Sequence, residues 1–328
     1  MYLVTGGAGF IGSNLVAHLA ERGAEVVVCD WLGSDERWRN LARHEIADLI
    51  APEALAHWLE RTDAARIEAI IHLGAISSTT EGDVDRLVQN NIRPTLELLA
   101  WCTAHQRRFL YASSAATYGD GSAGFDDDGS CAGLARLRPL NAYGWSKQVV
   151  DRRIARLAEQ RQPLPPQWVG LKFFNVYGPN EYHKGAMQSV IARNFARARA
   201  GEPLRLFRSY RRDYPDGGQR RDFIYVRDCV QVIAWLLDEP RISGLFNVGS
   251  GTARSWLDLA DALFTACDRH RSVEFIDMPP ELIARYQYFT EARMQRLRAA
   301  GYPHPFTSLE DGVADYVRRY LASDDPYR

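Results

Sequence analysis

Apolar and polar positions change their period repeatedly through the first half of the chain. Short apolar runs predict buried strands at residues 2–5, 25–30, 69–73, 108–112 and 169–175. The stretches between them are amphipathic, and residues 13–22 place Leu15, Val16 and Leu19 on one helical face. This alternation predicts an α/β fold, with helices on both faces of a doubly wound parallel sheet. From about residue 179 the pattern becomes irregular, which indicates a smaller C-terminal lobe of mixed helices and strands.

Three glycines separate the first predicted strand from the first predicted helix. Gly6, Gly9 and Gly12 follow that strand at three-residue spacing. Glycines in such a turn let the backbone approach a pyrophosphate, whose charge is then bound by free N–H groups at the helix start. The next predicted strand ends in Asp30, and an acid at this position can bind an adenosine ribose. The segment therefore predicts a Rossmann-type dinucleotide-binding sheet.

Lysine is rare in this chain. Of 40 cationic side chains only three are lysines, namely Lys147, Lys172 and Lys184. Lysine is a compact charge whose pKa a protein can tune, which suits proton transfer. Lys172 lies within a predicted strand, and we interpret it as structural.

Tyr143 and Lys147 lie four residues apart, so their side chains share one helix face. A phenol has a pKa near 10 and is a poor base at neutral pH. A cation at about 4 Å attracts a phenolate by roughly 4 kcal/mol, so we expect Lys147 to lower the pKa of Tyr143 by about one to two pH units. Tyr143 can then take a hydroxyl proton while hydride leaves the same carbon for a nicotinamide. Ser114 would hydrogen-bond the reacting oxygen.

Composition and charge argue against several classes of function. The 328 residues carry 40 basic and 41 acidic side chains, so we expect neither a nucleic-acid partner nor a basic membrane-binding face. No apolar run reaches about 18 residues and the first predicted strand begins at once, so we expect neither a membrane span nor a leader. Five cysteines without a CxxC pair favour a reducing, cytoplasmic location and no metal site.

Four motifs occur in order along the chain. They are the turn Gly6-x-x-Gly9-x-x-Gly12, the string at residues 113–119, the pair Tyr143-x-x-x-Lys147 and the string at residues 221–228. Together they resemble the extended short-chain dehydrogenase/reductase family, which contains the nucleotide-sugar epimerases and dehydratases. Within that family, the strings at residues 72–81, 175–185, 285–287 and 297–302 resemble the ADP-heptose 6-epimerases. The resemblance spans almost the whole chain.

The resemblance implies a nicotinamide dinucleotide bound along the glycine turn. Asp30 alone favours NAD, because it binds both ribose hydroxyls and repels a 2′-phosphate. Arg37 can neutralise that phosphate, and the resembled epimerases commonly use NADP, so we expect NADP with NAD as the alternative. The predicted cofactor-binding residues are Gly6, Gly9, Phe10, Ile11, Gly12, Asp30, Trp31, Arg37, Asp48, Leu49, Leu73, Gly74, Ala75, Ile76, Ser77, Asn90, Tyr143, Lys147, Val176 and Lys184.

The resemblance also implies a reaction at C6 of an ADP-activated heptose. Oxidation to a ketone and reduction from the other face need a second proton donor across the pocket. In the resembled enzymes, the lysine that matches Lys184 is this second proton donor, across from the tyrosine. Which of the two residues serves which epimer stays open. The alternative is that Lys184 only contacts a phosphate or ribose. The predicted catalytic residues are Tyr143, Lys147, Lys184 and Ser114.

The substrate-binding residues also follow from the resemblance. Arg221 is suited to a diphosphate, because a guanidinium binds phosphate with two parallel hydrogen bonds. Ala186 stands where a serine is expected and Arg193 where a histidine is usual, so sugar and phosphate contacts differ there. The predicted substrate-binding residues are Ser114, Asn175, Ala186, Arg193, Phe207, Arg208, Ser209, Tyr210, Arg221 and Tyr286.

Domain organisation and assembly are implied in the same way. Residues 1–175 and about 221–251 form the expected NADP-binding domain, and about 176–220 and 252–328 form the expected substrate-binding lobe. The resembled enzymes are homo-oligomers, typically pentamers. Two polar segments, residues 119–133 and 208–219, are predicted loops. We expect both to be solvated, and the second lies where it can cover a nucleotide.

Two other functions stay open. One is another nucleotide-sugar enzyme, a 4-epimerase or a 4,6-dehydratase. A dehydratase usually has an Asp-Glu pair after the serine, where this chain has Ala115 and Ala116. The other is a non-catalytic dinucleotide sensor. Such proteins often lose the tyrosine or lysine, whereas Ser114, Tyr143 and Lys147 are all present here.

Overall fold

The computed structural model describes residues 1–283 and 286–328. Arg285, part of one string quoted above, lies outside the described residues. The strands are β1 (Tyr2–Thr5), β2 (Val26–Cys29), β3 (Asp48–Ile50), β4 (Ala69–His72), β5 (Arg108–Ser114), β6 (Trp168–Phe173), β7 (Asn175–Tyr177), β8 (Leu204–Phe207), β9 (Arg220–Tyr225), β10 (Gly244–Val248), β11 (Ala253–Ser255) and β12 (Val273–Ile276). The helices are α1 (Phe10–Glu21), α2 (Leu55–Arg61), α3 (Val84–Leu87), α4 (Arg93–Ala104), α5 (Cys131–Arg136), α6 (Ala142–Glu159), α7 (Val190–Ala200), α8 (Val226–Asp238), α9 (Trp256–Ala266), α10 (Pro280–Ile283), α11 (Gln295–Ala299) and α12 (Leu309–Tyr316).

A seven-stranded parallel sheet forms the main body, in the order β10-β6-β5-β4-β1-β2-β3. Successive side chains of a strand point to opposite faces. Val4 therefore packs in one core with Leu15 of α1, while Leu3 packs in another with Leu98 of α4 and Ile154 of α6. Both faces of the sheet are covered by helices, and the predicted doubly wound fold is confirmed.

Each of the five predicted runs contributes a strand, but their ends and neighbours differ from the prediction. The run at residues 169–175 is not one strand, because β6 ends at Phe173 and Asn175 begins β7 in another sheet. Strands β3 and β10 were not predicted. Strand β3 has only three residues, two of them exposed, and therefore lacks an apolar run. Strand β10 is fully buried but follows the irregular half of the chain.

Two small sheets lie outside the main sheet. Strand β9 lies between β7 and β11, and β8 pairs with β12. Helices α7, α9 and α12 pack against these strands around a separate core. That core includes Ile191, Leu204, Leu263, Val313 and Tyr316. The predicted mixture of helices and strands in the smaller lobe is confirmed.

The segment at residues 119–133 is packed against the main sheet at several positions. Asp127 is buried and accepts the backbone N–H of Asn247 at 2.8 Å. The Asn247 side chain in turn donates to the carbonyl of Phe125, whose ring is also buried. The expectation of a merely solvated loop is wrong here, because this segment caps the unpredicted strand β10.

Two further features concern membrane-spanning helices and the state of the cysteines. In the part of the chain that the structure describes, no helix is long and apolar enough to cross a membrane. All five cysteines are free thiols. Burial raises the pKa of Cys29 to about 12, so this thiol stays neutral.

Candidate active site

A cleft of about 1690 Å³ opens at the carboxyl ends of the parallel strands. Gly6 follows β1, Leu73 follows β4 and Ser114 ends β5, and all three line the cleft. The C-terminal lobe contributes a wall through Val190 and Trp256. Ligands of doubly wound sheets bind at this edge, so the cleft lies where the sequence places a dinucleotide site.

The glycine turn is packed too tightly for side chains. Gly6 has a φ of +67°, and a Cβ there would lie 2.5 Å from the backbone nitrogen of Gly74. A Cβ on Gly12 would meet the carbonyl oxygen of Gly6 well inside van der Waals contact. Helix α1 begins directly after Gly9, which caps it without a side-chain hydrogen bond and leaves N–H groups available. The turn therefore fits a pyrophosphate.

Asp30 follows β2 and turns its carboxylate back toward the glycine turn. Its oxygens accept the N–H groups of Ala8 at 3.0 Å and Trp31 at 2.8 Å. Burial raises the pKa of Asp30, and these N–H groups and Arg37 oppose the rise. Arg37 lies 3.9 Å from Asp30, and its Nε is buried without a partner among the described residues. Asp30 and Arg37 thus place a carboxylate beside a cation whose Nε can still donate a hydrogen bond.

Helix α6 positions Tyr143 at its first turn. Asn141 caps the helix by accepting the N–H of Gly144 at 2.8 Å. Burial raises the pKa of Tyr143, and the neighbouring Ser114 hydroxyl acts in the opposite direction. The predicted net lowering of this pKa is therefore wrong. Helical spacing sets the proximity of Lys147, but the loss of water around the phenol sets the direction of the shift.

Lys147 is also removed from water, with only 4% of its surface exposed. Burial lowers its pKa to about 8, and Asp151 opposes the change. His72 faces the same region, and burial lowers its pKa to about 3, so this imidazole is neutral. Lys147 is therefore charged below about pH 8 and neutral above it.

Lys184 enters the same cleft from the short helical segment Tyr182–Met187. Its Nζ lies 5.1 Å from the ring centroid of Phe10, at the start of α1. Glu181 is fully buried and accepts the Ser189 hydroxyl at 2.7 Å, which anchors the segment. Burial lowers the pKa of Lys184, and Glu181 opposes the change. The cleft thus holds a second group that can release a proton more easily than an ordinary lysine.

Arg221 lies on β9 between two aromatic rings. Its guanidinium carbon is 5.2 Å from the ring centroid of Tyr286 and 6.0 Å from that of Trp256. Burial lowers its pKa. Within the described residues no carboxylate pairs with it, and Nη1 donates to the carbonyl of Arg220 at 2.9 Å. A buried cation without a counter-charge, in a cleft, is suited to an anionic ligand.

Most of the predicted site residues line this cleft. They are Gly6, Gly9, Phe10, Ile11, Gly12, Asp30, Trp31, Arg37, Leu73, Gly74, Ala75, Ile76, Ser77, Asn90, Ser114, Tyr143, Lys147, Asn175, Val176, Lys184, Arg221 and Tyr286. The predicted residues outside its lining are Asp48, Leu49, Ala186, Arg193, Phe207, Arg208, Ser209 and Tyr210. Asp48 accepts the indole N–H of Trp58 at the sheet edge, and Arg208 pairs with Asp216 at 3.2 Å. Their ligand contacts stay predictions.

Trp256 and His72 line the cleft although no sequence pattern marked them as site residues. Trp256 begins α9, and its indole N–H donates to the Tyr286 hydroxyl at 2.9 Å. His72 ends β4 and lies within hydrogen-bond distance of the hydroxyls of Thr5 and Thr95. A tryptophan at a helix start carries no sequence signal for ligand binding. A histidine at the end of an apolar strand offers only a weak one.

Comparison with known proteins places these features in a family. A sequence profile of the NAD dependent epimerase/dehydratase family matches residues 2–249. The chain is 51% identical to the ADP-L-glycero-D-manno-heptose-6-epimerase of Nitratidesulfovibrio vulgaris, with 100% of both chains covered. The crystal structure of Helicobacter pylori ADP-L-glycero-D-manno-heptose-6-epimerase is similar with a TM-score of 0.80 at 28% identity, over 97% of this chain and 95% of that one. Thermus thermophilus UDP-glucose 4-epimerase, in complex with NAD, is similar with a TM-score of 0.76 at 26% identity, over 96% and 97% of the two chains.

Proposed function

The chain belongs to the NAD-dependent epimerase/dehydratase family, and we propose that it converts ADP-D-glycero-β-D-manno-heptose to its L-glycero epimer at C6. The product would supply the inner-core heptose of lipopolysaccharide. The observation that carries this proposal is the presence of Tyr143 and Lys184 in one cleft. Inversion at a carbinol carbon needs proton handling on both faces, and these are two separate groups able to do it.

We propose NADP as the cofactor, held by the glycine turn with Asp30 and Arg37 at the adenosine ribose. The tight packing at Gly6 and Gly12 supports a pyrophosphate there. Within the described part of the chain, the Nε of Arg37 has no hydrogen-bond partner. This supports a 2′-phosphate, because the guanidinium can donate to the phosphate and offset its negative charge beside Asp30. A nicotinamide held there would supply the hydride acceptor and donor for C6, without net consumption of the cofactor.

The proposed proton transfers occur at two side chains. Tyr143 exchanges the C6 hydroxyl proton of one epimer at its phenolic oxygen, and Lys184 does so for the other epimer at Nζ. Lys147, while charged, lowers the cost of the phenolate form of Tyr143. Ser114, beside Tyr143, orients the C6 oxygen as carbonyl character develops.

Arg221 is the proposed contact for the diphosphate of the substrate. It is buried, carries no counter-charge from a described carboxylate and faces the cleft between Trp256 and Tyr286. Binding a diphosphate there pairs a charge that is otherwise costly to bury. The same aromatic rings give the cleft apolar surface beside the anion site, which suits an attached nucleoside.

The domain boundaries given above are part of the proposal. Residues 1–175 and about 221–251 would carry the cofactor, and about 176–220 and 252–328 would cover the substrate. A homo-oligomer, with the pentamer as the expected form, stays a prediction from resemblance. Light scattering on the eluting protein would test it.

Proton NMR of the purified protein with ADP-D-glycero-β-D-manno-heptose, without added cofactor, tests the function. A mixture of the two C6 epimers is the expected result. An unchanged spectrum, also after addition of NADP⁺ and NAD⁺, would exclude the heptose reaction. UDP-, GDP- and dTDP-sugars would then be assayed next.

Lys184→Met separates the proposed role of Lys184 from a simple phosphate contact. Loss of a proton donor lowers kcat with little change in KM, whereas loss of a phosphate contact raises KM. Arg205→Met is a matched control on β8, because Arg205 is an exposed cation paired with Glu274 and does not line the cleft. It should leave both constants unchanged.

A further inference from the structure

A buried carboxylate lies one helical turn beyond Lys147. Asp151 of α6 is 2% exposed, and its oxygens accept three hydrogen bonds. The donors are the Tyr111 hydroxyl at 3.0 Å, the Ser113 hydroxyl at 2.7 Å and the Nζ of Lys172 at 2.9 Å. The catalytic roles proposed above leave this group unused.

Lys172 completes the cluster from β6. Its side chain is fully buried, donates to the Thr117 hydroxyl at 2.6 Å and lies 4.8 Å from the ring centroid of Tyr118. Thr117 in turn donates to the carbonyl of Ser114 at 2.8 Å. The ion pair therefore joins β6 to α6, the helix that carries Lys147, and its hydrogen bonds reach Ser114 on β5 through Thr117.

A gain in folding stability does not by itself explain a buried ion pair such as Asp151 and Lys172. Taking two charges out of water costs several kcal/mol for each ion, and apolar replacements of buried pairs are often neutral or stabilising. Lysine and aspartate are almost never fully buried unless they are paired, as Lys172 and Asp151 are here. The position of the pair directly behind two proposed catalytic residues points to a role in their chemistry.

We propose that Asp151 is the counter-charge that keeps Lys147 protonated, and that Lys172, Ser113 and Tyr111 hold the Asp151 carboxylate in place for it. Asp151 is thus a positioning residue, and this role rests on the proposed epimerase function. Without a charged Lys147 the phenolate of Tyr143 loses the cation that lies one helical turn away on α6, so Asp151 affects the reaction without contacting substrate.

The other titratable groups near Lys147 do not replace Asp151. His72 of β4 is neutral, held between the hydroxyls of Thr5 and Thr95. Tyr143 on the same helix is partly buried, and its raised pKa keeps the phenol neutral. Among the groups in the described residues, Asp151 is the one that favours the charged form of Lys147 against burial. Lys172 lies behind Asp151 and bonds to its carboxylate.

The rarity of lysine makes this role directly measurable. Because the chain has only three lysines, the full-length protein labelled with ¹³C at lysine Cε gives three NMR signals. Lys172→Arg and Lys184→Arg assign the signals. Titration of the Lys147 signal then reports its pKa without any substrate.

Asp151→Asn should lower the pKa of Lys147 by about one pH unit, a tenfold change in the ratio of charged to neutral lysine. Asn leaves Lys172 buried without a counter-charge, so this variant risks unfolding. The double variant with Asp151→Asn and Lys172→Met removes both charges together and should lower the pKa of Lys147 in the same direction. Asp228→Asn is the matched control, since Asp228 is a buried carboxylate bound to Thr307. It should leave the Lys147 signal unshifted.

An unchanged pKa of Lys147 in the folded double variant overturns the proposal. With substrate, the double variant should lose kcat more strongly at pH 8 than at pH 6, with KM little changed. An equal loss at both pH values would mean that the pair is only structural. If the wild type does not epimerise the heptose but the Lys147 shift is present, the proposed function fails while the electrostatic role of Asp151 stands.

Discussion

Replacing Lys147 by methionine should abolish activity and stabilise the protein at pH 7. The side chain is 4% exposed, and burial lowers its pKa from the usual 10.5 to about 8. At about 1.4 kcal/mol per pH unit, keeping the buried lysine charged costs the folded state about 3 kcal/mol. Methionine has a similar length and needs no proton, and Asp151 keeps its bond to Lys172. We therefore expect a gain of about 2–3 kcal/mol.

The pH dependence gives this prediction a sign. In the unfolded chain the lysine keeps its proton up to about pH 10.5, whereas in the folded protein Lys147 loses it at about 8. Between these values the unfolded state binds more protons at this lysine, so the contribution of Lys147 to the free energy of unfolding rises with pH. The advantage of Lys147→Met should be complete below pH 8 and should vanish above pH 10.5.

Urea unfolding of both proteins at pH 7 and at pH 10 measures the difference, with Lys172→Met as the contrast. That variant makes the same chemical change but leaves Asp151 charged and buried, so it should destabilise by about 3–5 kcal/mol. A Lys147→Met protein that is no more stable than the wild type at pH 7 would refute the reasoning. So would an advantage that does not shrink toward pH 10.

Three further substitutions test the cleft. Gly12→Ala should lower the free energy of unfolding by about 1–3 kcal/mol and weaken cofactor binding, because its Cβ would lie 2.8 Å from the carbonyl carbon of Gly6. The control is Gly82→Ala, which has open space around it and should change thermal stability by less than about 0.5 kcal/mol. Arg221→Gln should raise the KM for the nucleotide sugar by about 100-fold, as the loss of about 3 kcal/mol from a charged hydrogen bond implies, with cofactor titration unaffected. Arg37→Ala should weaken NADP binding by about tenfold or more and leave NAD binding nearly unchanged, which calorimetry with both dinucleotides would measure.

Features set by short sequence separations were predictable. The glycine turn follows from three residues spaced along a strand–helix junction, and Tyr143 and Lys147 share a helix face because they lie four residues apart. The structure brings both into one cleft. The direction of the Tyr143 pKa was not predictable, because proximity to a cation follows from local spacing whereas burial depends on every element packed around the ring.

Features that join distant parts of the chain did not follow from local spacing. Resemblance placed Arg221 and Tyr286 in one site, but Trp256 was missed, because its meeting with Arg221 depends on how β9 and α9 fold together and no periodicity encodes that. The same holds for Asp151 and Lys172, which come from a helix and a strand 21 residues apart. A buried pair of this kind looks, in the sequence, like two ordinary charged residues.

The most direct test of the account is the fate of the C6 hydrogen. Purified protein is incubated with ADP-D-glycero-β-D-manno-heptose in D₂O, and the product is followed by proton NMR. Removal and return of the same hydride predicts the L-glycero epimer with its C6 proton at full intensity. Deuterium at C6 of the product would mean that the hydrogen leaves as a proton and returns from solvent, which would contradict transient oxidation by a bound nicotinamide.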